Sequence, residues 1–364
     1  MRRKDFKMKR IDRYIISQFL GTFAFIIVLM IAITVVFDIN EKIDHFLKPE
    51  VTVSEIALKY YANFIPYFIG LFSPLFTFIA VILFTYRLAD RSEIIAMLSS
   101  GISFNRLMFP YLLSAALIAL SNYMLSAYVI PKANVNRIEF QNTYIRNQRV
   151  EYGRHVQLEV EPGVFAYFET FQAPSSMGYR FSLDQFEDKQ LVSRLIASSI
   201  KYDSLHQWTI IDYIIRDFDG MYEHVSTGNR KDTTLTFMPS DFLISDVDCE
   251  TMTSPALAKH IQRQKQRGIG NIQTFEIEYH RRYATIMSFF VLTVIGVSLS
   301  SRKIKGGMGL NIGIGLGLSF SYVFFSTVTS TFAISGLVSP MIAVWIPNIL
   351  YLFITVYLFR RAPR

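Results

Sequence analysis

The longest charge-free stretch of this sequence sets the strongest limit on its fold. From Gly306 to Phe359 the chain carries no Asp, Glu, Lys or Arg residue. About 20 apolar residues cross the ~30 Å hydrocarbon core of a bilayer as a helix, so this stretch is far too long for one crossing. Small and turn-forming residues divide it at Ser335-Gly336-Leu337-Val338-Ser339-Pro340. The C-terminal part of the chain therefore predicts two membrane-spanning helices.

Four further charge-free stretches are each long enough for one crossing: Tyr14–Phe37, Tyr60–Tyr86, Leu107–Pro131 and Tyr283–Ser301. The sequence therefore predicts six spans. The composition agrees, since 51% hydrophobic residues is too apolar for an ordinary soluble domain, while 18% charged residues leaves room for a polar domain. The first stretch is too long for a secretion signal and lacks a small-residue cleavage site, so we expect an uncleaved span.

The Lys and Arg residues near the span ends predict the orientation, because short cytoplasmic loops are enriched in them. One side of the six-span scheme collects Arg2, Arg3, Lys4, Lys7, Lys9, Arg10, Arg13, Arg87, Arg91, Arg106, Arg302, Lys303, Lys305, Arg360, Arg361 and Arg364. The short loops opposite offer only Lys42, Lys48 and Lys59. Arg281 and Arg282 also lie opposite, at the end of a long translocated region where the rule is weak. We therefore expect both termini and the connector between spans two and three to be cytoplasmic.

Several classes of function are disfavoured by the sequence. Much of the net charge of +8 flanks apolar stretches, and no basic helix is present, so we expect no nucleic-acid partner. There is no G-x-x-x-x-G-K-[ST] phosphate loop and no H-E-x-x-H or Cys/His metal spacing. Cys249 is the one cysteine, which excludes an intrachain disulfide. We predict a non-catalytic chain with no catalytic residues, cofactor or metal. Because the span interiors carry almost no ionisable residues, an external energy source is favoured over an ion relay.

The polar connector between spans two and three predicts a short helix. Ser92 suits an N-cap, Glu93 lies in the first turn at the positive end of the helix dipole, and Gly101 suits the end. An apolar side is formed by Ile94, Ile95, Met97 and Leu98. Such a helix is either a docking element for a cytosolic partner or a helix lying passively in the membrane interface.

The segment between spans three and four predicts a β domain. Alternation with a period of two runs over His155–Glu161, an aromatic β-rich pattern covers Gly163–Glu169, and Trp208–Phe218 is apolar on both faces. Asp219-Gly220 suits a tight turn. Several short strands at this spacing predict an antiparallel sandwich or jelly roll.

A helix is predicted after the β region, with Ser254 as N-cap, Pro255 at its first position and Gly268 at its end; Leu257, Ala258 and Ile261 give it an apolar side. The predicted fold class is a membrane α-helical protein with six transmembrane helices and a periplasmic all-β, jelly-roll-like domain inserted between helices 3 and 4. Three parts are expected. Residues 1–131 hold spans one to three with a cytoplasmic coupling helix near 91–101, residues 132–253 the β domain, and residues 254–364 the connecting helix and spans four to six.

The glycine-rich start of span five opens a membrane helix instead of following a strand, so a dinucleotide-binding loop is excluded by context. Gly309, Gly313, Gly317 and Ser321 are spaced four apart and share one helix face. Small residues in this pattern allow close approach of another helix. That helix belongs either to the same chain or to another subunit at a seam.

The arrangement and the residues together resemble the LptF/LptG family of lipopolysaccharide-export permeases, over essentially the whole chain. The most specific matches are Asp12-Arg-Tyr-Ile15 at the start of span one and Arg91-Ser-Glu-Ile-Ile-Ala-Met97 with Gly101 in the connector. The region from Leu257 to Tyr283 supports them. The first two matches are more similar to the LptG branch than to LptF.

The resemblance implies a permease subunit of the bacterial inner membrane that exports lipopolysaccharide, with its β domain starting a periplasmic bridge. It implies four kinds of partner: a second, LptF-like six-span permease, a cytoplasmic LptB-like ATPase dimer that binds ATP and Mg, a single-span LptC-like protein, and lipopolysaccharide itself. The connector would couple to the ATPase through Glu93, with Arg87, Arg91, Ser92 and Gly101 around it. The LptC-like helix would lodge between span one of one permease and span five of the other.

The sequence departs from the family where some LptG-type members place lysines for lipid phosphates. Asp38 stands in place of one such lysine, and Lys42 is only an approximate substitute. The remaining candidates for headgroup contact, chosen by position and charge, are Lys132, Arg137, Arg281 and Arg282. Two other functions remain open at this point: a permease for another amphiphile, such as a lipoprotein, and a membrane-anchored periplasmic scaffold.

Overall fold

The computed structural model describes residues 10–145, 152–172, 175–188, 190–204, 206–220, 222–239, 248–266, 272–301 and 307–362. The chain divides into two compact units, Met1–Ile145 with Glu276–Arg364, and Arg146–Phe275. Several residues named above lie outside the described ranges: Arg2, Arg3, Lys4, Lys7, Lys9, Gly268, Arg302, Lys303, Lys305 and Arg364.

The described helices are α1 (Arg10–Phe46), α2 (Val53–Glu55), α3 (Ala62–Asp90), α4 (Glu93–Ser99), α5 (Phe104–Met124), α6 (Ile130–Phe140), α7 (Ser254–Gln266), α8 (Gln273–Ser300), α9 (Gly307–Ile334) and α10 (Pro340–Arg361). Three π-helical segments, Ile56–Tyr61, Leu125–Val129 and Gln141–Ile145, join α2 to α3, join α5 to α6 and extend α6. A short 3₁₀ helix covers Asp248–Glu250.

Six helical segments of the described chain are long and apolar enough to cross a membrane: Arg10–Phe46, Val53–Asp90, Phe104–Ile145, Gln273–Ser300, Gly313–Ile334 and Pro340–Arg361. The predicted six spans are therefore confirmed. The first four segments begin before the charge-free stretches that predicted them, and the first three also end later. Beyond the first turn, backbone N–H groups bond within the helix whatever their side chains, so polar residues can continue a helix beyond its apolar core.

The helical unit is held together by two large buried clusters. One joins α1, α3 and α5 through fully buried side chains such as Ile15, Phe19 and Tyr111. The other joins α3, α8 and α10, with Phe78, Ile295 and Tyr351 at its centre. These clusters stabilise the helical unit mainly by van der Waals packing. The hydrophobic effect contributes little, because the lipid tails that the side chains leave are themselves apolar.

The β unit contains six strands: β1 (Tyr152–Glu161), β2 (Val164–Gln172), β3 (Met177–Glu187), β4 (Gln190–Ser204), β5 (Gln207–Asp219) and β6 (Tyr222–Thr234). They form one antiparallel sheet in the order β1-β2-β3-β4-β5-β6. The predicted turn at Asp219-Gly220 is confirmed, since Asp219 pairs with Tyr222 and Gly220 has a φ of 60°. The predicted combination of a helical membrane protein with an inserted β domain is confirmed.

The jelly-roll detail of that prediction needs a correction within the described residues. A jelly roll places its strands in two sheets with Greek-key crossovers, whereas these six strands form one up-and-down sheet. Short loops join each strand to the next, and such loops pair sequence neighbours. One face buries aromatic residues, including Phe168, Phe181 and Trp208. On the other face Ile214 of β5 is 44% exposed, so the two apolar faces of this strand do not indicate a position between two sheets.

The helix predicted after the β region is α7. It begins at Ser254 itself, one residue earlier than expected, so Pro255 lies at its second position. A proline is tolerated there because the N–H groups of the first turn have no partner within the helix. Leu257 and Ile261 are buried, as the apolar pattern predicted.

Candidate functional site: the connector and the charged span ends

The connector forms the predicted short helix, α4, directly after α3. Gly101 follows it with a φ of 87° and donates its N–H to the carbonyl of Leu98 at 3.0 Å, a left-handed ending that glycine favours. Ser92 precedes it, but with a φ of 59° and without a capping hydrogen bond from its side chain. The predicted N-cap bond is therefore wrong. Only Arg91 and Ser92 separate α3 from α4, and the tight turn forces Ser92 into the left-handed region.

Side chains of α4 divide into an inner and an outer set. Ile94 is fully buried in the cluster that joins α1, α3 and α5, whereas its neighbour Ile95 is 57% exposed. Arg87, Arg91 and Ser92 are exposed at the same end of the helical unit. The structure therefore places the predicted coupling residues around a helix that is anchored on one side and open on the other.

Glu93 lies beside the start of α1. The hydroxyl of Tyr14 donates a hydrogen bond to its carboxylate over 3.3 Å. Close by in sequence, Asp12 of α1 accepts a hydrogen bond from the guanidinium of Arg106, near the start of α5. The sequence pattern assigned no contact to Asp12, Tyr14 or Arg106. Long-range side-chain pairs of this kind carry no periodic signal by which a single sequence could reveal them.

Lys42, the first headgroup candidate, is already engaged in a local network. Its ammonium forms an ion pair with Asp38 and donates a hydrogen bond to the hydroxyl of Tyr60 at 2.5 Å. The other oxygen of Asp38 accepts a hydrogen bond from Tyr61 at 3.0 Å. Tyr60 and Tyr61 belong to a π-helical segment, a local irregularity that often marks functional positions.

The remaining basic candidates differ in exposure. Arg137 is 8% exposed, donates to Asn134 at 2.9 Å and stacks over the ring of Tyr67. Lys132, five residues earlier on α6, is exposed. Arg137 is therefore engaged in local contacts, while Lys132 is open to a ligand.

Arg281 and Arg282 lie on α8 and share one acidic partner. Both contact the carboxylate of Glu278, and Arg282 donates to it over 2.9 Å. The side chain of Arg282 is 3% exposed, whereas that of Arg281 is 49% exposed. Of the two, only Arg281 can contact a ligand without a rearrangement of the side chains around it.

The small-residue face of α9 is open along most of its length. A Cβ atom added at Gly309, Gly313 or Gly317 would meet no atom of the described chain within 4 Å. Ser321 instead contacts the hydroxyl of Tyr351 on α10. Packing within the chain therefore involves Ser321, while the three glycines leave a surface that another helix can approach.

A family model described as "Lipopolysaccharide export system permease LptF/LptG" matches residues 13–361. The chain belongs to the LptF/LptG family. A comparison with individually curated proteins found no significant match.

Membership in the LptF/LptG family confirms the resemblance seen in the sequence. Its members are non-catalytic permease subunits of a lipopolysaccharide export system, so this chain is a multi-pass membrane permease subunit. The family description covers LptF and LptG together. The match includes the connector and both motifs that carried the resemblance, apart from Asp12.

Proposed function

We propose that this chain is the LptG-like permease subunit of an ATP-driven exporter that extracts lipopolysaccharide from the bacterial inner membrane and passes it to a periplasmic bridge toward the outer membrane. The observation that carries this proposal is the family match over residues 13–361. The LptG assignment is supported by the Asp12-Arg-Tyr-Ile and Arg91-Ser-Glu motifs of the sequence.

ATP and Mg are bound by a separate LptB-like ATPase dimer, because this sequence has no phosphate-binding loop. Helix α4 docks on that dimer, with Glu93 as the coupling carboxylate and Arg87, Arg91, Ser92 and Gly101 shaping the surface. The 57% exposure of Ile95, beside the buried Ile94, leaves an open outer side on which a partner can dock. Because α4 is packed against the helical unit through Ile94, a displacement of the ATPase bound on its exposed side would be transmitted to the membrane helices.

The orientation follows from the basic residues. Both termini and α4 face the cytoplasm, and the β domain lies in the periplasm, because Lys and Arg residues concentrate at that end of the spans. The open glycine face of α9 supports a seam with a neighbouring subunit. There the second, LptF-like permease and the single-span LptC-like helix pack against the chain.

The lipid phosphates of lipopolysaccharide engage Lys132 and Arg281, which are exposed, and reach Lys42 by competing with Asp38. Arg137 and Arg282 contribute from buried positions, by holding the helices beside the headgroup. This division of roles rests on exposure and, for Lys42, Arg281 and Arg282, on their acidic partners Asp38 and Glu278.

The test is a pull-down from membranes solubilised in a mild detergent, with wild type, Glu93→Ala and Glu41→Ala compared. Glu41 is an exposed carboxylate at the opposite end of α1, so its variant controls for loss of charge alone. We expect an ATPase and a second permease with wild type and Glu41→Ala, and a weakened ATPase signal with Glu93→Ala. Recovery of the chain alone from wild type would overturn the proposal. Mass spectrometry of the co-purified lipid distinguishes lipopolysaccharide from a lipoprotein or another amphiphile.

A further inference from the structure

The start of α1 is tied to the connector region by two polar contacts. The hydroxyl of Tyr14 lies 3.3 Å from the Glu93 carboxylate of α4, and the guanidinium of Arg106 at the start of α5 lies 2.5 Å from the Asp12 carboxylate. Tyr14 and Asp12 are two residues apart, so one turn of α1 contacts both the connector helix α4 and the start of α5 that follows it.

The two contacts differ in character. Asp12 is buried, with 3% of its side chain exposed, and its ion pair with Arg106 therefore lies where water competes little. Tyr14 is 41% exposed, so its bond to Glu93 lies at the edge of the helical unit. The buried Asp12–Arg106 ion pair is suited to a lasting contact between α1 and α5. The partly exposed hydrogen bond from Tyr14 orients the side chain of Glu93.

An apolar contact region lies beneath both contacts. Ile15 of α1 and Ile94 of α4 are each fully buried, and they belong to the same cluster as Phe104 and Leu107 of α5. Protein interiors are close-packed and transmit displacement instead of absorbing it. A displacement of α4 therefore carries the start of α1 with it.

We propose that α4 and the starts of α1 and α5 move as one body, with Tyr14 as a positioning residue for Glu93 and the Asp12–Arg106 pair as the tie between α1 and α5. This inference rests on the proposed coupling of α4 to an ATPase and adds the path by which the push reaches the membrane. Helix α1, which forms span one, is then the element that moves when the ATPase closes.

The first experiment measures whether the two elements keep a fixed distance. Cys249 is the only cysteine of the chain, so a Cys249→Ala background accepts spin labels at Arg13→Cys on α1 and Ser99→Cys on α4, both exposed positions. The distance distribution is measured in the full complex with its ATPase, without nucleotide and with ATP plus vanadate. We expect the same mean and width in both states. A shift of the mean between the states would overturn the proposal.

The second experiment tests Tyr14 as a positioning residue. In Tyr14→Phe the ring remains and the bond to Glu93 is lost, and Tyr86→Phe, at the end of α3, is the matched control. We expect normal recovery of the ATPase with Tyr14→Phe, but lipid released per ATP lower by about threefold to tenfold, the equilibrium weight of one hydrogen bond. A ratio equal to that of Tyr86→Phe would contradict the role of Tyr14.

Swapping the two charges of the Asp12–Arg106 pair distinguishes a specific ion pair from a general loss of stability, because only a specific pair is restored by the double variant. Asp12→Arg and Arg106→Asp should each lower lipid release per ATP, and the double variant should recover most of it. Absence of recovery in a folded, ATPase-bound double variant would overturn the tie. If wild type itself brings down no ATPase, the proposed function fails; if the ATPase is present and these results are negative, this inference alone fails.

Discussion

The carboxylate of Asp12 accepts a hydrogen bond from Arg106 at 2.5 Å, across 94 positions of sequence. The burial of the two partners is unequal, because the Asp12 side chain is 3% exposed and that of Arg106 is 31% exposed. The arginine can reach water when its partner is removed, whereas the aspartate cannot. Removing Arg106 should therefore lower stability more than removing the charge of Asp12.

We expect Arg106→Met to destabilise the helical unit by about 3 kcal/mol, the low end for a broken buried ion pair, since it removes one cation from a buried carboxylate. Asp12→Asn should cost less, about 1–2 kcal/mol, because the remaining guanidinium is partly hydrated. Thermal unfolding of the detergent-solubilised protein measures both variants. Equal losses, or a larger loss in Asp12→Asn, would contradict the unequal burial.

Two glycines with positive φ predict different tolerances in the β unit. Gly163, with a φ of 81°, lies so that an added Cβ would be 2.6 Å from the backbone carbonyl oxygen of Phe186, while Gly220 has open space around it. Gly220→Ala should cost only the left-handed conformation, about 1–2 kcal/mol. Gly163→Ala adds a clash with backbone that cannot swing away, so we expect at least twice that loss. Fluorescence of Trp208 in a Trp345→Phe background follows the unfolding, and similar midpoints for the two variants would refute the prediction.

The glycines of α9 separate packing within the chain from packing between subunits. A Cβ at Gly315 would come within 2.1 Å of the Ile82 side chain on α3, whereas one at Gly313 meets nothing within 4 Å in the described chain. We expect Gly315→Ala to lower the melting temperature of the isolated chain. Gly313→Leu should keep that temperature and weaken recovery of the second permease. Normal pairing by Gly313→Leu would show that this face is exposed to lipid and not part of a seam.

Whether a feature of this structure could be predicted from the sequence depends on whether its interactions are local in the chain. The six spans were predictable because membrane crossing demands a minimum apolar length, which is written directly into the chain. The ion pair of Lys42 with Asp38 follows a spacing of four on one helix and was within reach of the sequence. The contacts of Tyr14 with Glu93 and of Asp12 with Arg106 depend on where three helices meet, and no local pattern encodes that.

The β unit shows the same limit. Alternation identified strands in the inserted segment but did not distinguish one sheet from two, because a strand with two apolar faces is compatible with either. In β5, Ile214 lies opposite Ile196 of β4 on the more exposed face, and both side chains are over 40% exposed. Sequence pattern reports the apolar character of a face and not what covers it.

His260 on α7 predicts a pH dependence outside the membrane segments. Burial, with the nearby positive charge of Arg263, lowers the pKa of His260 below its usual value of about 6.5. The unfolded segment then binds a proton more readily than the folded one, so stability is complete above pH ~6.5 and is lost as the pH falls toward the folded-state pKa. Local opening should therefore increase as the pH falls below about 6.5 toward the folded-state pKa.

The single buried cysteine, Cys249, lies in the 3₁₀ helix that precedes α7 and reports this opening. Its labelling by dithiodipyridine should be faster in wild type than in His260→Asn by a ratio that grows as the pH falls. The ratio cancels the pH dependence of the thiol chemistry itself. A ratio that stays constant with pH would contradict the titration of His260.

The Asp38 carboxylate is the ion-pair partner of Lys42 and therefore competes with a lipid phosphate for it. Removing the charge of Asp38 should increase lipid binding. A phosphate and the Asp38 carboxylate would compete for the same ammonium, which is 17% exposed in the pair. Asp38→Asn should therefore raise the amount of lipopolysaccharide that co-purifies with the complex, and Lys42→Ala in the same chain should abolish the gain. Asp44→Asn, an exposed acid on the same helix, is the control. If the gain is absent, or persists without Lys42, then Lys42 holds the structure of the span ends and takes no part in lipid binding.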